Sequence, residues 1–192
     1  MSPEIPALAD RAVTGWVTGW PVIPPGFPAP GADSVARRYL SSLIDGSVTP
    51  PACLGALLLP IPATTIWSYG RLRVHICLDD ILTLTPGVIF GGYVTCLVDH
   101  FASLVMLTVL PDDARVLTAT TETAFHAPLF PGDVAIEASV TKVSARRALA
   151  EVTFQQGQGI ASRGVAEQII KRDVAANAPP GPGAARQPAR KL

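Results

Sequence analysis

A carboxylate in the middle of an apolar run is the feature of this sequence with the clearest chemical meaning. Asp99 lies within residues 91–110, GGYVTCLVDHFASLVMLTVL, which have the length of a long helix and almost no polar face. A helix that is apolar all round is predicted to be buried on all sides, with a sheet wrapped around it. An unpaired carboxylate there costs several kcal/mol, so Asp99 must be paired, protonated, or face a pocket or an interface. A structural ion pair and a carboxylate kept for catalysis both remain open on these residues alone.

The same run is not expected to cross a membrane. Asp99 and His100 interrupt its middle, where a charge costs about 2.5–3.5 kcal/mol on insertion scales. No Lys or Arg flank brackets residues 92–110 as it would bracket a membrane span. A buried helix inside a soluble domain is the favoured interpretation.

The composition limits the classes of partner. The 192 residues fit one domain with extensions. Because 48% of the residues are apolar and only 16% are charged, some apolar surface is predicted to meet another subunit. A net charge of zero gives no support for a nucleic-acid or membrane partner, which would need a basic excess.

Cys53, Cys77 and Cys96 follow no metal-ligand spacing, so no metal is expected and the thiols indicate a reduced, cytoplasmic protein. Charged residues near the N-terminus argue against a secretory signal.

Alternation of apolar and polar residues predicts an antiparallel sheet around the helix. Before the helix, one face of a strand carries Leu72, Val74, Ile76 and Leu78. After it, strands are predicted at about 115–127, 133–143, 147–156 and 159–171, with a tight hairpin at Ser144-Ala145-Arg146. A strand, a helix and then a β meander predict an antiparallel α+β fold.

Proline content divides the chain into three parts. Residues 1–60 are predicted to form an N-terminal arm packed on the domain. Its one short helix, at 34–45, is started by Asp33 or Ser34 and ended by Gly46, and its apolar face carries Val35, Tyr39, Leu43 and Ile44. The apolar, proline-interrupted residues 50–63 are expected to be extended. The main domain is placed at 61–172, and the Ala-, Pro- and Gly-rich residues 173–192 are predicted to be disordered.

The run PGVIFGGYVTCLVDHFASLVM resembles the signature of hotdog-fold acyl-CoA thioesterases of the phenylacetate-pathway and 4-hydroxybenzoyl-CoA type. Phe90-Gly91-Gly92 occupies the place of the family's His-Gly-Gly motif, and Asp99 stands eight residues after Gly91, where the family has an Asp or Glu. FHAPLFPGD, at 125–133, is similar to a strand-end pattern of the family. The resemblance covers roughly 60–172 and implies an antiparallel sheet wrapped around a long central helix, here with a short N-terminal helical extension.

The resemblance also implies a reaction and its residues. The Gly91 amide would stabilise the oxyanion of an acyl thioester, and Asp99, supplied by the facing subunit, would act as nucleophile or as general base for water. Ser103 matches a position where some relatives place a hydroxyl near the attacking group, although it could instead bond back to its own helical turn. Phe90, Gly92 and His126 would line the substrate site, with no cofactor and no metal.

The partners follow from the same resemblance. The substrate would be an acyl-CoA or carrier-bound acyl thioester, and the protein a homo-oligomer, a dimer or a dimer of dimers. Arg146 and Arg147, at the hairpin, would contact the phosphates of coenzyme A or a carrier pantetheine, unless they only form a solvated turn. His100 is expected to be a packing or interface residue.

Two departures from the family pattern keep a second function open. Phe90 replaces the usual His, and Leu84 stands about where some relatives have an Asn or Gln that helps to hold the thioester. Both changes put an apolar group in place of a polar one. The sequence therefore predicts thioester hydrolysis first, and as the alternative a non-hydrolytic hotdog protein that binds acyl thioesters or catalyses another reaction on them.

Overall fold

The computed structural model describes residues 25–29, 31–85 and 87–172, so the predictions for residues 1–24 and for the tail lie outside the described residues. The helices are α1, α2 and α3, and the strands are β1 to β8. Their bounds in chain order are α1 Val35–Ile44, α2 Ala52–Ala56, β1 Ile66–Ser68, β2 Arg71–Leu78, β3 Thr83–Thr85, β4 Val88–Ile89, α3 Gly91–Met106, β5 Ala114–Phe125, β6 Gly132–Val143, β7 Arg147–Gln156 and β8 Gly159–Arg172.

The predicted strands form one antiparallel sheet in the order β1-β2-β6-β7-β8-β5. The alternation is confirmed, because Leu72, Val74, Ile76 and Leu78 are buried on the inner face. The hairpin between β6 and β7 is also present, with Ser144 N donating to Arg147 O at 2.7 Å. β3 and β4 form a separate two-stranded sheet that the sequence reading did not predict.

The long helix α3 packs on the inner face of this sheet. Gly164 of β8 allows the close approach, because a Cβ there would overlap the Val98 side chain. Leu97, Val98 and Phe101 are fully buried, and the sheet and helix together enclose the core. The helix ends at Met106 rather than at residue 110. Among the described residues, no helix has the length and hydropathy needed to cross a membrane.

The expectation that α3 is buried on all sides is wrong for the single chain. Gly92, Asp99 and Ser103 are only partly buried and Cys96 is exposed, so one stripe of the helix is not covered by the sheet. This uncovered stripe runs along the inner side of β5, which is the last strand of the sheet. Asp99 is therefore not sealed in the core of one chain.

α1 begins and ends as predicted, but it is rotated so that only part of its predicted apolar face is buried. The Ser34 hydroxyl accepts from Arg37 N at 3.2 Å, and Gly46 ends the helix region with a φ of +76°. Arg37 is buried together with Leu40 and Leu43, whereas Tyr39 and Val35 of the expected apolar face are exposed. The rotation follows from hydrogen bonds of the Arg37 guanidinium with the carbonyl oxygens of residues 29, 32 and 108.

Residues 50–63 are not simply extended, as the sequence reading expected, because 52–56 form the helix α2. The chain after α2 is tied to α3 by two hydrogen bonds. Tyr93 Oη donates to Leu58 O at 2.6 Å, and His100 Nε2 lies 2.9 Å from Pro60 O. These contacts attach residues 57–62 to the outer side of the helix.

Candidate active site

The N-terminus of α3 presents backbone N–H groups that its N-cap cannot satisfy. The cap residue is Phe90, with φ −59° and ψ 121°, and its side chain makes no capping hydrogen bond. The first N–H groups of a helix have no intrahelical acceptor, and they carry the positive end of the helix dipole. Gly91 N–H therefore lies where an anion or a polarised carbonyl oxygen is stabilised.

Two aromatic rings explain why glycines begin the helix. A Cβ on Gly91 would lie 3.3 Å from Phe125 Cζ, and one on Gly92 would lie 2.5 Å from Phe90 Cζ. Both rings are about half exposed, at 54% for Phe125 and 48% for Phe90. The predicted residues Phe90, Gly91 and Gly92 thus form one local unit with Phe125, which the sequence reading had placed only in the FHAPLFPGD pattern.

A cavity of about 410 Å³ opens at this end of α3. Its polar side chains are His126, which is exposed, and Ser162, which is fully buried and whose Oγ has no hydrogen-bond partner among the described residues. The rest of the wall is apolar or backbone, and the lining residues are Val88, Ile89, Gly91, Val94, Phe125, His126, Ala127, Pro128, Leu129 and Ser162. Such a wall suits an acyl chain or an aryl group better than a charged ligand.

Asp99 lies further along α3, against the edge strand. Its Oδ1 accepts from Thr118 Oγ1 at 2.5 Å. Four residues later in the helix, Ser103 Oγ accepts from Gln168 Nε2 at 3.0 Å instead of bonding back to its own turn. Thr118 and Gln168 were missed by the sequence reading. Gln168 could have been recognised from the sequence, because it is a polar residue between the inner-facing Ala166 and Ile170 of β8.

One chain does not bring Gly91 and Asp99 together. Eight residues of helix at about 1.5 Å per residue separate them by about 12 Å along the axis. A thioester carbonyl hydrogen-bonded to Gly91 N–H therefore cannot also be attacked by a group held on Asp99 of the same chain. The cavity lies at one end of this span, and the carboxylate lies at the other.

Arg146 and Arg147 also lie far from the cavity of their own chain. Arg147 pairs in register with Ile169 of β8, and seven strand residues from Ser162 to Ile169 span about 23 Å. Arg147 is exposed and forms an ion pair of 2.5 Å with Glu167. The two arginines therefore lie toward the end of the sheet that contacts Asp99. Ile169 follows Gln168 in β8, and Gln168 lies opposite Thr118, which donates to Asp99.

His100 is a packing residue in this structure. It is buried, lies edge-on to the Phe101 ring at 4.9 Å, and is held by Pro60 O. Burial lowers the pKa of His100, while the Pro60 carbonyl and Asp99 act in the opposite direction. In the described ranges, no group of three or more His, Cys, Asp or Glu side chains is placed to hold a metal ion.

Comparisons with known proteins support the fold. Residues 86–162 match the family model of the thioesterase superfamily, and a comparison with curated proteins finds no match. A phenylacetic acid degradation-related protein from Ralstonia eutropha JMP134 is similar in structure, with a TM-score of 0.58, 18% identity, and coverage of 68% of this chain and 98% of that one.

Two further solved structures are similar. Thioesterase superfamily member 2 from Mus musculus gives a TM-score of 0.56 at 15% identity, covering 69% of this chain and 95% of that one. A Streptococcus pneumoniae TIGR4 thioesterase protein with coenzyme A gives 0.50 at 13% identity, covering 55% and 81%. Likeness at such low identity shows the fold alone. The chain has the hotdog fold, and its residues 86–162 match the thioesterase superfamily.

Proposed function

We propose that this protein hydrolyses an acyl thioester, carried by coenzyme A or by a carrier protein, at sites shared between two copies of the chain. The observation that carries the proposal is the uncapped N-terminus of α3, opening onto an apolar cavity, with a carboxylate two turns further along the same helix. The match to the thioesterase superfamily and the relative solved with coenzyme A support the reaction and the substrate class.

The proposed chemistry uses two groups. Gly91 N–H donates to the carbonyl oxygen and stabilises the negative charge that develops on it. Asp99 takes a proton from water as the water oxygen attacks the carbonyl carbon. The tetrahedral intermediate then expels the thiolate, which takes a proton and leaves as the free thiol. Attack by the Asp99 carboxylate itself, through an anhydride that water then opens, gives the same products. Thr118 restrains Asp99 in either case, by donating to Oδ1.

Two copies are needed because Gly91 and Asp99 of one chain are about 12 Å apart along the helix. The uncovered stripe of α3 and the outer edge of β5, which no strand of the described residues pairs with, provide a surface for a second copy. In a two-fold symmetric pair the same surface is used by both copies, so each Asp99 can face the other chain's Gly91. The proposed unit is therefore a homodimer, which can pair further into a dimer of dimers.

One observation favours the second candidate, a protein that binds acyl thioesters without hydrolysing them. Leu84, at the position where some relatives have Asn or Gln, is 75% exposed and apolar, and Phe90 replaces the usual His. Neither side chain can donate a hydrogen bond to the thioester. The proposed site therefore depends on backbone N–H for its oxyanion donor.

Release of free thiol from a panel of acyl-CoAs tests the proposed function. We expect turnover on at least one acyl-CoA with an apolar acyl group, and a dimeric or larger mass by light scattering at micromolar concentration. Binding of acyl-CoA without thiol release would favour the second candidate. A monomeric mass under assay conditions would remove the shared site.

Heterodimers that carry two different inactive chains test the shared site directly. One tagged chain carries Gly91→Pro, which removes the donor, and the other carries Asp99→Asn. A heterodimer purified through both tags keeps one intact site of two, so we expect about half of the wild-type turnover. The matched control is a heterodimer of a wild-type chain with a chain that carries both changes, which we expect to be inactive. Sites contained within one chain would reverse these two results.

The arginine pair is expected to act on the carrier part of the substrate. Arg146→Ala with Arg147→Ala should raise KM for full coenzyme A thioesters by about two- to thirtyfold, because exposed charge contacts contribute about 0.2–1 kcal/mol each. KM for short pantetheine thioesters should not change. Arg163→Ala, an exposed arginine that pairs with Glu151 on the outer face, is the control and should leave both values unchanged. Equal effects on both substrate types would place the pair outside the phosphate site.

A further inference from the structure

Gln168 is a fully buried polar residue that the proposed mechanism does not yet use. It lies on the inner face of β8, between the buried apolar residues Ala166 and Ile170. Its Nε2 donates to Ser103 Oγ at 3.0 Å, and its Oε1 is buried with no hydrogen-bond partner in the described part of the chain. An orphaned buried acceptor destabilises the fold. An unbranched apolar side chain such as methionine would fill this position without leaving one.

The hydrogen bond from Gln168 determines what Ser103 can do. A helical serine often donates back to the carbonyl four residues earlier, which uses its proton inside the helix. Here Ser103 Oγ is the acceptor, so its proton is available to another acceptor. Ser103 is only partly buried and lies on the uncovered stripe of α3, one turn after Asp99.

Gln168 and Thr118 form a matched pair beneath these two helix residues. They lie directly opposite each other on β8 and β5, with Cβ atoms about 4.5–5.5 Å apart in such pairs. Thr118 donates to Asp99, and Gln168 donates to Ser103. Two neighbouring strand residues therefore fix two successive turns of the helix, each through one hydrogen bond.

We propose that Gln168 is a positioning residue of the hydrolytic site, and that it acts through Ser103. Gln168 donates a hydrogen bond to Ser103 Oγ, so the oxygen of Ser103 is used as an acceptor. The hydroxyl proton of Ser103 then points outward, to an acceptor atom of the thioester bound beside Asp99. The proposal rests on the thioester hydrolysis proposed above. It adds a residue that touches neither substrate nor water and that influences the rate by orienting a hydroxyl.

Single and double variants test this role. Gln168→Met removes the donor and the orphaned acceptor but keeps an unbranched side chain of similar size. We expect kcat to fall about tenfold, the effect of losing one hydrogen bond in the transition state. KM should change less than twofold, and Tm should stay the same or rise. Ser103→Ala should lower kcat by a similar factor.

The decisive measurement is the combination of the two changes. If Gln168 acts through Ser103, Gln168→Met in the Ser103→Ala background should lower kcat no further. Ile170→Val, a small truncation on the same face of the same strand, is the control and should lower Tm without changing kcat. Unchanged kcat in Gln168→Met, or multiplied effects in the double variant, would overturn the positioning role while leaving hydrolysis intact. A wild-type protein that releases thiol from no thioester would overturn both proposals.

Discussion

Replacing Gly91 by proline is expected to lower kcat for thioester hydrolysis by about 10²–10³, the usual effect of removing one oxyanion donor. Proline has no N–H, and it is well tolerated at the first position of a helix, which Gly91 occupies. Phe90, with φ −59° and ψ 121°, already has a conformation that the residue before a proline can adopt. The helix should therefore form normally while losing the proposed donor.

Gly91→Ala is the matched control for this result. Both variants add a Cβ, which would lie 3.3 Å from Phe125 Cζ, so both disturb the ring equally at that atom. Only proline removes the N–H. We expect Gly91→Ala to retain most of the turnover, and both variants to give the far-ultraviolet circular dichroism of the wild type. If alanine lowers kcat as much as proline does, the ring contact matters and the amide does not.

The sheet could be predicted from the sequence because its signal is local. Alternation along β2 indicates which of its side chains face inward, and the start of α3 at Gly91 follows from the two glycines that open the apolar run. Strand ends fall within a few residues of the predicted positions, and the hairpin at Ser144 is where its turn residues indicate. These features need no knowledge of distant partners.

Other features depend on contacts between distant residues, and for these the sequence reading failed. The buried face of α1 is set by Arg37, a charged residue that pattern reasoning assigns to solvent. The pair of Thr118 and Gln168 is visible only once β5 and β8 are in register. α3 was expected to be buried on all sides because its residues are apolar, yet the sheet of one chain leaves Asp99 partly exposed. A second copy over this stripe would account for the apolar pattern.

Replacing Asp99 by asparagine is expected to lower turnover by roughly two orders of magnitude or more, as for the loss of a general base. Asparagine has nearly the same volume, but it can neither take a proton from water nor attack a carbonyl. Its side-chain oxygen can still accept from Thr118 Oγ1, so the local geometry should persist. Asp99 is partly exposed, and no ion pair to it is present among the described residues. Tm should therefore hold or rise, since a charge kept for function usually weakens folding.

Measuring Tm and turnover on the same Asp99→Asn preparation separates a catalytic role from a structural one. A structural carboxylate would show the opposite pattern, in which Tm falls clearly and activity is lost only as folding is lost. Asp133→Asn, an exposed aspartate at the start of β6, is the control for removing one negative charge and should change neither quantity. Near wild-type turnover of Asp99→Asn on its best thioester would leave the oxyanion donor in place and exclude Asp99 as nucleophile or base.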